Sequence, residues 1–163
     1  MSEIDEVDRG HLHRALVLAA ETGDAGNRPF GAVAIAADGS VVSEGANSVA
    51  TSGDVTEHAE LDAITTACAE GNASRLIGGT VYASGEPCPM CSAAMVWAGV
   101  RRIVFAAKAS DFGEILGGGP TFRLSCADVA QSTEVEIEVT GPALGDEALE
   151  PFRRFVAEQR ERP

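Results

Sequence analysis

Apolar and polar positions follow two periods along this chain, and the changes of period mark its elements. HLHRALVLAAETG spaces its apolar residues as a helix does, which predicts a first helix running to about Thr22. GDAGNRP breaks it. FGAVAIAA and SVVSEGANS then flank Asp38-Gly39, a hairpin turn signal. EHAELDAITTACAEG sets Leu61, Ile64, Thr65 and Cys68 on one side, which predicts a second helix ending near Gly71 with Cys68 in the core. TVYASG is short and β-branched and reads as a strand. Pro87 and Pro89 stand where a further helix would begin, continued by CSAAMVWAG. RRIVFAAK is another strand, and EVEIEVT alternates as a strand with one wet face. LGDEALEPFRRFVAEQR is a final helix, open to interruption at Pro151. From Asp111 to Cys126, around Gly117-Gly118-Gly119-Pro120, no period emerges. That segment is expected to be a loop, either a flap over a site or plain surface.

Strands alternating with helices imply a layered α/β sandwich around one sheet. No repeat and no linker divides the 163 residues, so one domain is expected over residues 1–163. Apolar residues at 45% and charged residues at 23% fit a globular chain and exclude a disordered one. No apolar run approaches the ~20 residues of a membrane span. The N-terminal MSEIDEVD is acidic, whereas a secretory signal opens on a basic region, so a cytoplasmic protein is expected.

Charge narrows the partners. Twelve basic residues stand against 25 acidic ones, a net −13, and Lys108 is the single lysine. Such a field repels polyanions and weighs against nucleic acid as a partner, a local basic patch aside. The four cysteines, Cys68, Cys88, Cys91 and Cys126, point to metal or redox use in a reducing compartment and not to a disulfide framework.

Two short pieces carry chemistry: His58-Ala59-Glu60 and Pro87-Cys88-Pro89-Met90-Cys91. Each falls near a predicted helix N-terminus. Cys88 and Cys91, three apart in a first turn, can face one point. With His58 they supply three ligands to a tetrahedral Zn2+ and leave the fourth position open, as a catalytic site requires. Helix N-termini favour thiolate, which suits the two sulfurs. Glu60, two residues from His58, is placed to move protons without being a ligand. Two other readings remain: a CxxC redox or binding module, and a structural zinc site closed by Cys68 or Cys126. His11 and His13 read as surface or packing residues.

The motif pair H-x-E and P-C-x-x-C is the signature of zinc nucleobase deaminases. RPFGAV, Asn47, HAE, EPCPMC and AAMVWAG, spanning Pro29 to Lys108, together resemble the bacterial guanine deaminase branch of the cytidine deaminase-like superfamily. Cytosine deaminases and tRNA adenosine deaminases are also related to it. The resemblance implies a three-layer α/β/α sandwich with a five-stranded mixed sheet, commonly a homodimer. It implies Zn2+ on His58, Cys88 and Cys91, and Glu60 as proton shuttle. It assigns Phe30, Asn47 and Trp97 to a nucleobase-like small-molecule substrate, with the Ala59 N–H and the Ser84 carbonyl as polar contacts. Glu86 reads as a support for its loop. Two departures bear on substrate. The loop after IVFAA reads DFGEILGGGPTF, and the tail RFVAEQRERP holds no tyrosine, Tyr82 being the single one. Guanine, cytosine, modified bases and triazines all stay open. The last helix is similar to that of tRNA adenosine deaminases, yet Ala109 stands where those enzymes carry an aspartate used on RNA.

Overall fold

The computed structural model describes residues 3–163. Five strands form one mixed sheet in the order β2-β1-β3-β4-β5. β1 (Gly31–Ile35) and β2 (Val41–Ala46) form the expected antiparallel hairpin around Asp38-Gly39. β3 (Thr80–Gly85) runs antiparallel to β1. β4 (Arg102–Ala107) and β5 (Glu138–Thr140) then follow parallel to β3 and to each other. β3 and β4 are nearly continuous in buried residues because helices cover both faces.

On one face lies α1 (Glu6–Asp24), opened by a capping box between Asp5 and Asp8, together with the last helix α7 (Glu150–Glu161). Leu12, Leu16, Val33, Ile35, Val104 and Phe152 fill the layer beneath them. Asp8 is buried there, gripped by Arg102 and by the Tyr82 hydroxyl. The other face carries the short α2 (Val49–Ser52), α3 (Ala59–Ala69) and α4 (Pro89–Ala98). Val42, Ile64, Val81, Met95 and Ile103 fill that layer. Two glycines let the helices settle close. A Cβ on Gly31 would strike the α1 backbone at Ala15 and Ala19, and one on Gly45 would strike α3 at Ala59 and Ala63.

Four expectations need correction. The inward face of α3 is Ala59, Glu60, Ala63, Ile64 and Ala67, while Thr65 and Cys68 are exposed and Leu61 is half-buried. The close approach at Gly45 selects alanines, so the small residues and not the larger ones mark the buried side. Within the segment expected to be a loop lies α5 (Ala109–Leu116), which packs Phe112, Ile115 and Leu116 inward, and α6 (Cys126–Gln131) begins at its end. EVEIEVT pairs only over Glu138–Thr140, because its parallel neighbour β4 begins at Arg102, opposite Glu138. The final helix is divided: a 3-10 turn covers Gly145–Leu149, and Pro151 sits in the first turn of α7, where its missing N–H costs nothing. No helix among the described residues is long and apolar enough to cross a membrane.

Candidate active site

The site lies where α3 and α4 begin. His58 is the N-cap residue of α3 and Cys88 that of α4, both in extended backbone, and Cys91 follows in the first turn of α4. Pro89 at the first helical position fixes that turn. Residues thirty positions apart in the chain thereby face one another. The Cys88 Sγ lies 3.6 Å and the Cys91 Sγ 3.7 Å from His58 Nδ1. A tetrahedral zinc, with Zn–S about 2.3 Å and Zn–N about 2.0–2.1 Å, sets sulfur and nitrogen about 3.5–3.6 Å apart. The three donors thus fit a zinc ion through Nδ1 and both sulfurs. They form a group whose ligand atoms all lie within 4.8 Å of one another. Cys68 is exposed on the α3 surface and is no part of that group. Cys126 is buried at the start of α6 and is likewise outside it.

Electrostatics agree with a cation at this point. The hydrogen bond from the Cys91 thiol, and then that with His58, hold Cys88 down to about 4. Cys91 is pushed far up by the Cys88 sulfur beside it and by burial. Two adjacent sulfurs do not both ionise without a positive charge between them, which a divalent ion supplies. His58 is raised chiefly by its hydrogen bond with Cys88, against burial and the positive charge of Arg28. Glu60, 5% exposed, points into this space from the first turn of α3. Burial pushes its carboxyl up to about 7, while hydrogen bonds from its own backbone N–H and the Cys91 thiol pull it down.

The remaining candidate residues divide. Asn47 is buried. Its N–H donates to the Phe30 carbonyl at 3.0 Å, its carbonyl accepts from the Thr22 hydroxyl, and its Oδ1 accepts from Val49 N at 3.2 Å. The amide is thereby oriented, Oδ1 toward α2 and Nδ2 away from it. Ala59 opens α3, so its N–H is among those a helix leaves without an internal partner. Ser84 is fully buried near the end of β3, and its Oγ accepts from Gly31 N at 3.0 Å. The half-buried Phe30 ring meets Phe112 and Phe152 edge-on, at 5.1 and 5.2 Å between centroids. Trp97 is not brought in. α4 buries Cys91, Ser92 and Met95 and turns Trp97 to solvent, 90% exposed.

Three neighbours of the site escaped the sequence reading. Phe112 sits on α5, whose 112, 115 and 116 spacing is helical but confined to eight residues around Gly113. Asp62 accepts from Ala46 N at 3.0 Å and so steadies the strand end that leads to Asn47. Arg28 donates to the Gly117 carbonyl at 3.4 Å, and its positive charge is felt at His58. Asp62 has no periodic or motif signal, and Arg28 opens the RPFGAV stretch without any pattern that foretells this contact.

A five-stranded mixed sheet covered by helices on both faces, with a His/Cys/Cys group at two helix starts, defines the zinc-binding deaminases. Residues 5–107 match the family described as the cytidine and deoxycytidylate deaminase zinc-binding region, and the chain belongs to it. Among its relatives, a probable cytosine deaminase of Schizosaccharomyces pombe is 32% identical over 157 residues, 94% of this chain and 95% of that one. The guanine deaminase of Bacillus subtilis is 46% identical over 104 residues, 63% of this chain and 66% of its own. A structure of guanine deaminase from Nitrosomonas europaea superposes with a TM-score of 0.77 at 25% identity, covering 96% of this chain and 87% of that one. Zinc is the family's metal, and His58, Cys88 and Cys91 are the group here that fits it.

Proposed function

We propose that this chain hydrolytically deaminates a free nucleobase, with guanine the first substrate to test. The observation that carries the reading is the convergence of His58 Nδ1 with two sulfurs at the edge lengths of a zinc tetrahedron, beside a buried carboxylate. Zinc, when bound, supplies a Lewis acid that lowers the pKa of water. Glu60 takes a proton from the attacking water. The water oxygen bonds to the ring carbon that bears the amine. Glu60 returns the proton to the ring nitrogen, then carries the second proton to the departing amine. The carbon–nitrogen bond breaks, a carbonyl remains and ammonia leaves. Asn47 and the Ala59 N–H hold the base edge, Ser84 lends a polar contact, and Phe30 covers the ring.

Guanine is favoured because a guanine deaminase is 46% identical to this chain over 104 residues. A cytosine-type substrate is the second reading, since one of the relatives aligned along nearly the whole chain is a probable cytosine deaminase. The net charge of −13 argues against tRNA. Ammonia release should be measured over guanine, cytosine, triazines and their nucleosides. Guanine is expected to turn over fastest, and activity confined to nucleosides overturns the free-base assignment.

The chain is further proposed to work as a homodimer. Met90 and Trp97, seven apart on α4 and both exposed, share a helix face with Ala93 and Ala94 between them. A two-fold pairing of that face would cover the tryptophan. W97R should therefore shift the mass by light scattering from dimer to monomer.

A further inference from the structure

We propose that Glu86 is a positioning residue that ties the metal-ligand loop to α5, the helix whose Phe112 packs against Phe30. The proposal rests on the nucleobase deaminase reading for what the pocket binds. Glu86 stands two residues before Cys88, in the turn between β3 and α4. Its own N–H donates to the Ala107 carbonyl at 2.7 Å, which fixes the turn against the end of β4. Its carboxylate is directed at two other backbones. Oε2 accepts from Ala109 N, the first residue of α5, at 3.0 Å. Oε1 accepts from Cys126 N, the first residue of α6, at 3.3 Å. Among the described residues no arginine, lysine or histidine forms an ion pair with it. One side chain thus satisfies the opening N–H of two helices that the sequence separates from it by more than twenty residues.

What this fixes is the helix that backs the Phe30 ring. α5 lays Phe112 edge-on to Phe30 and flat on Phe152 of α7, with 20° between the latter two ring planes. Both Phe30 and Phe112 press on Gly85, the residue before Glu86. A Cβ there would meet their ring carbons at 2.9 and 3.0 Å. At its other end α5 is held by the Arg28 guanidinium on the Gly117 carbonyl. On that side Phe30 meets the rings of Phe112 on α5 and Phe152 on α7. Loosening the first turn of α5 therefore loosens the surface against which a flat heterocycle would stack, and leaves the three metal ligands anchored by their own helices.

The test uses the full-length, zinc-loaded protein and two variants. Glu86→Gln keeps the shape but offers one acceptor oxygen where two are needed. Ala109→Pro removes the N–H that Oε2 accepts, at a first helical position that tolerates proline. Each variant is expected to keep one zinc per chain and to raise KM about tenfold with kcat within threefold, for whichever base the wild type deaminates fastest. Amide hydrogen exchange over residues 109–117 should quicken at least tenfold in both. The double variant should be no worse than Ala109→Pro alone, because with the Ala109 N–H gone the one acceptor oxygen left by Glu86→Gln still serves Cys126 N. Glu86→Asp, too short to span both backbones, should not restore KM. Unchanged exchange in α5, a fall in kcat at constant KM, or additive losses in the double variant would overturn the proposal. A wild type that releases ammonia from no base defeats the nucleobase reading instead, and the exchange measurement then decides the tether by itself.

Discussion

A carboxylate kept neutral or charged by its surroundings is the smallest unit on which the chemistry turns. Glu60 is buried beside two sulfurs and an imidazole, so its burial cost is set against whatever positive charge that group holds. Glu60→Gln keeps the volume and removes the exchangeable proton. It should retain one zinc per chain by metal analysis and lower kcat by about 10²–10⁴-fold. Ammonia release near the wild-type rate in that variant would remove Glu60 from the chemistry. His58, Glu60, Cys88 and Cys91 were legible in the sequence because each belongs to a short motif whose spacing is dictated by a helix start. Trp97 stands apart from that group for the converse reason. A motif records which residue occurs, and only the rotation of α4 decides that this one faces outward. Asp62 and Arg28 act through single contacts to distant backbone, Ala46 N and the Gly117 carbonyl, and such contacts leave no local pattern.

At the level of elements, the ligand-bearing helices depend on how close they come to the sheet. Gly45 faces α3 so closely that a methyl group there would overlap the Ala59 carbonyl and the Ala63 backbone. Gly45→Ala should therefore push α3 outward and destabilise the fold by about 2–3 kcal/mol, read as a lower urea midpoint. Since His58 caps the same helix, zinc affinity should fall with it, and a variant that keeps both midpoint and affinity would contradict this packing. Long periodic segments, α1, the hairpin, β3, β4 and α4, follow from sequence pattern. α5 and β5 do not. α5 is two turns long and interrupted by Gly113, and its apolar face is defined by Phe30 and Phe152, which arrive from elsewhere in the chain. β5 shows seven alternating residues but pairs through three, because pairing depends on where its neighbour starts.

Across the whole molecule the acidic excess makes arginine partners scarce, and the half-buried Arg102 matters most. The Arg102 guanidinium hydrogen-bonds Asp8 and, with the Tyr82 hydroxyl and the Asp5 N–H, holds its carboxyl well below the usual carboxylate range. Burial opposes that shift and is outweighed. A carboxyl lowered by folding stabilises the protein fully above its unfolded pKa of about 3.9, and that contribution is lost as pH falls toward the folded value. Asp8→Asn should cost about 2–3 kcal/mol at pH 7. The gap from wild type should narrow progressively below about pH 4, in thermal melts run from pH 7 to pH 2. A gap constant with pH would assign the loss to packing alone.

The hairpin tip at Asp38-Gly39 sits beyond Ile35 and Val41, at the strand ends opposite to those that meet Ser84. Five residues of extended chain, about 17 Å, separate it from that end. It is consequently a place for a fluorophore, an affinity handle or a surface tether, where a chemist can attach cargo and still watch the opposite end of the sheet work.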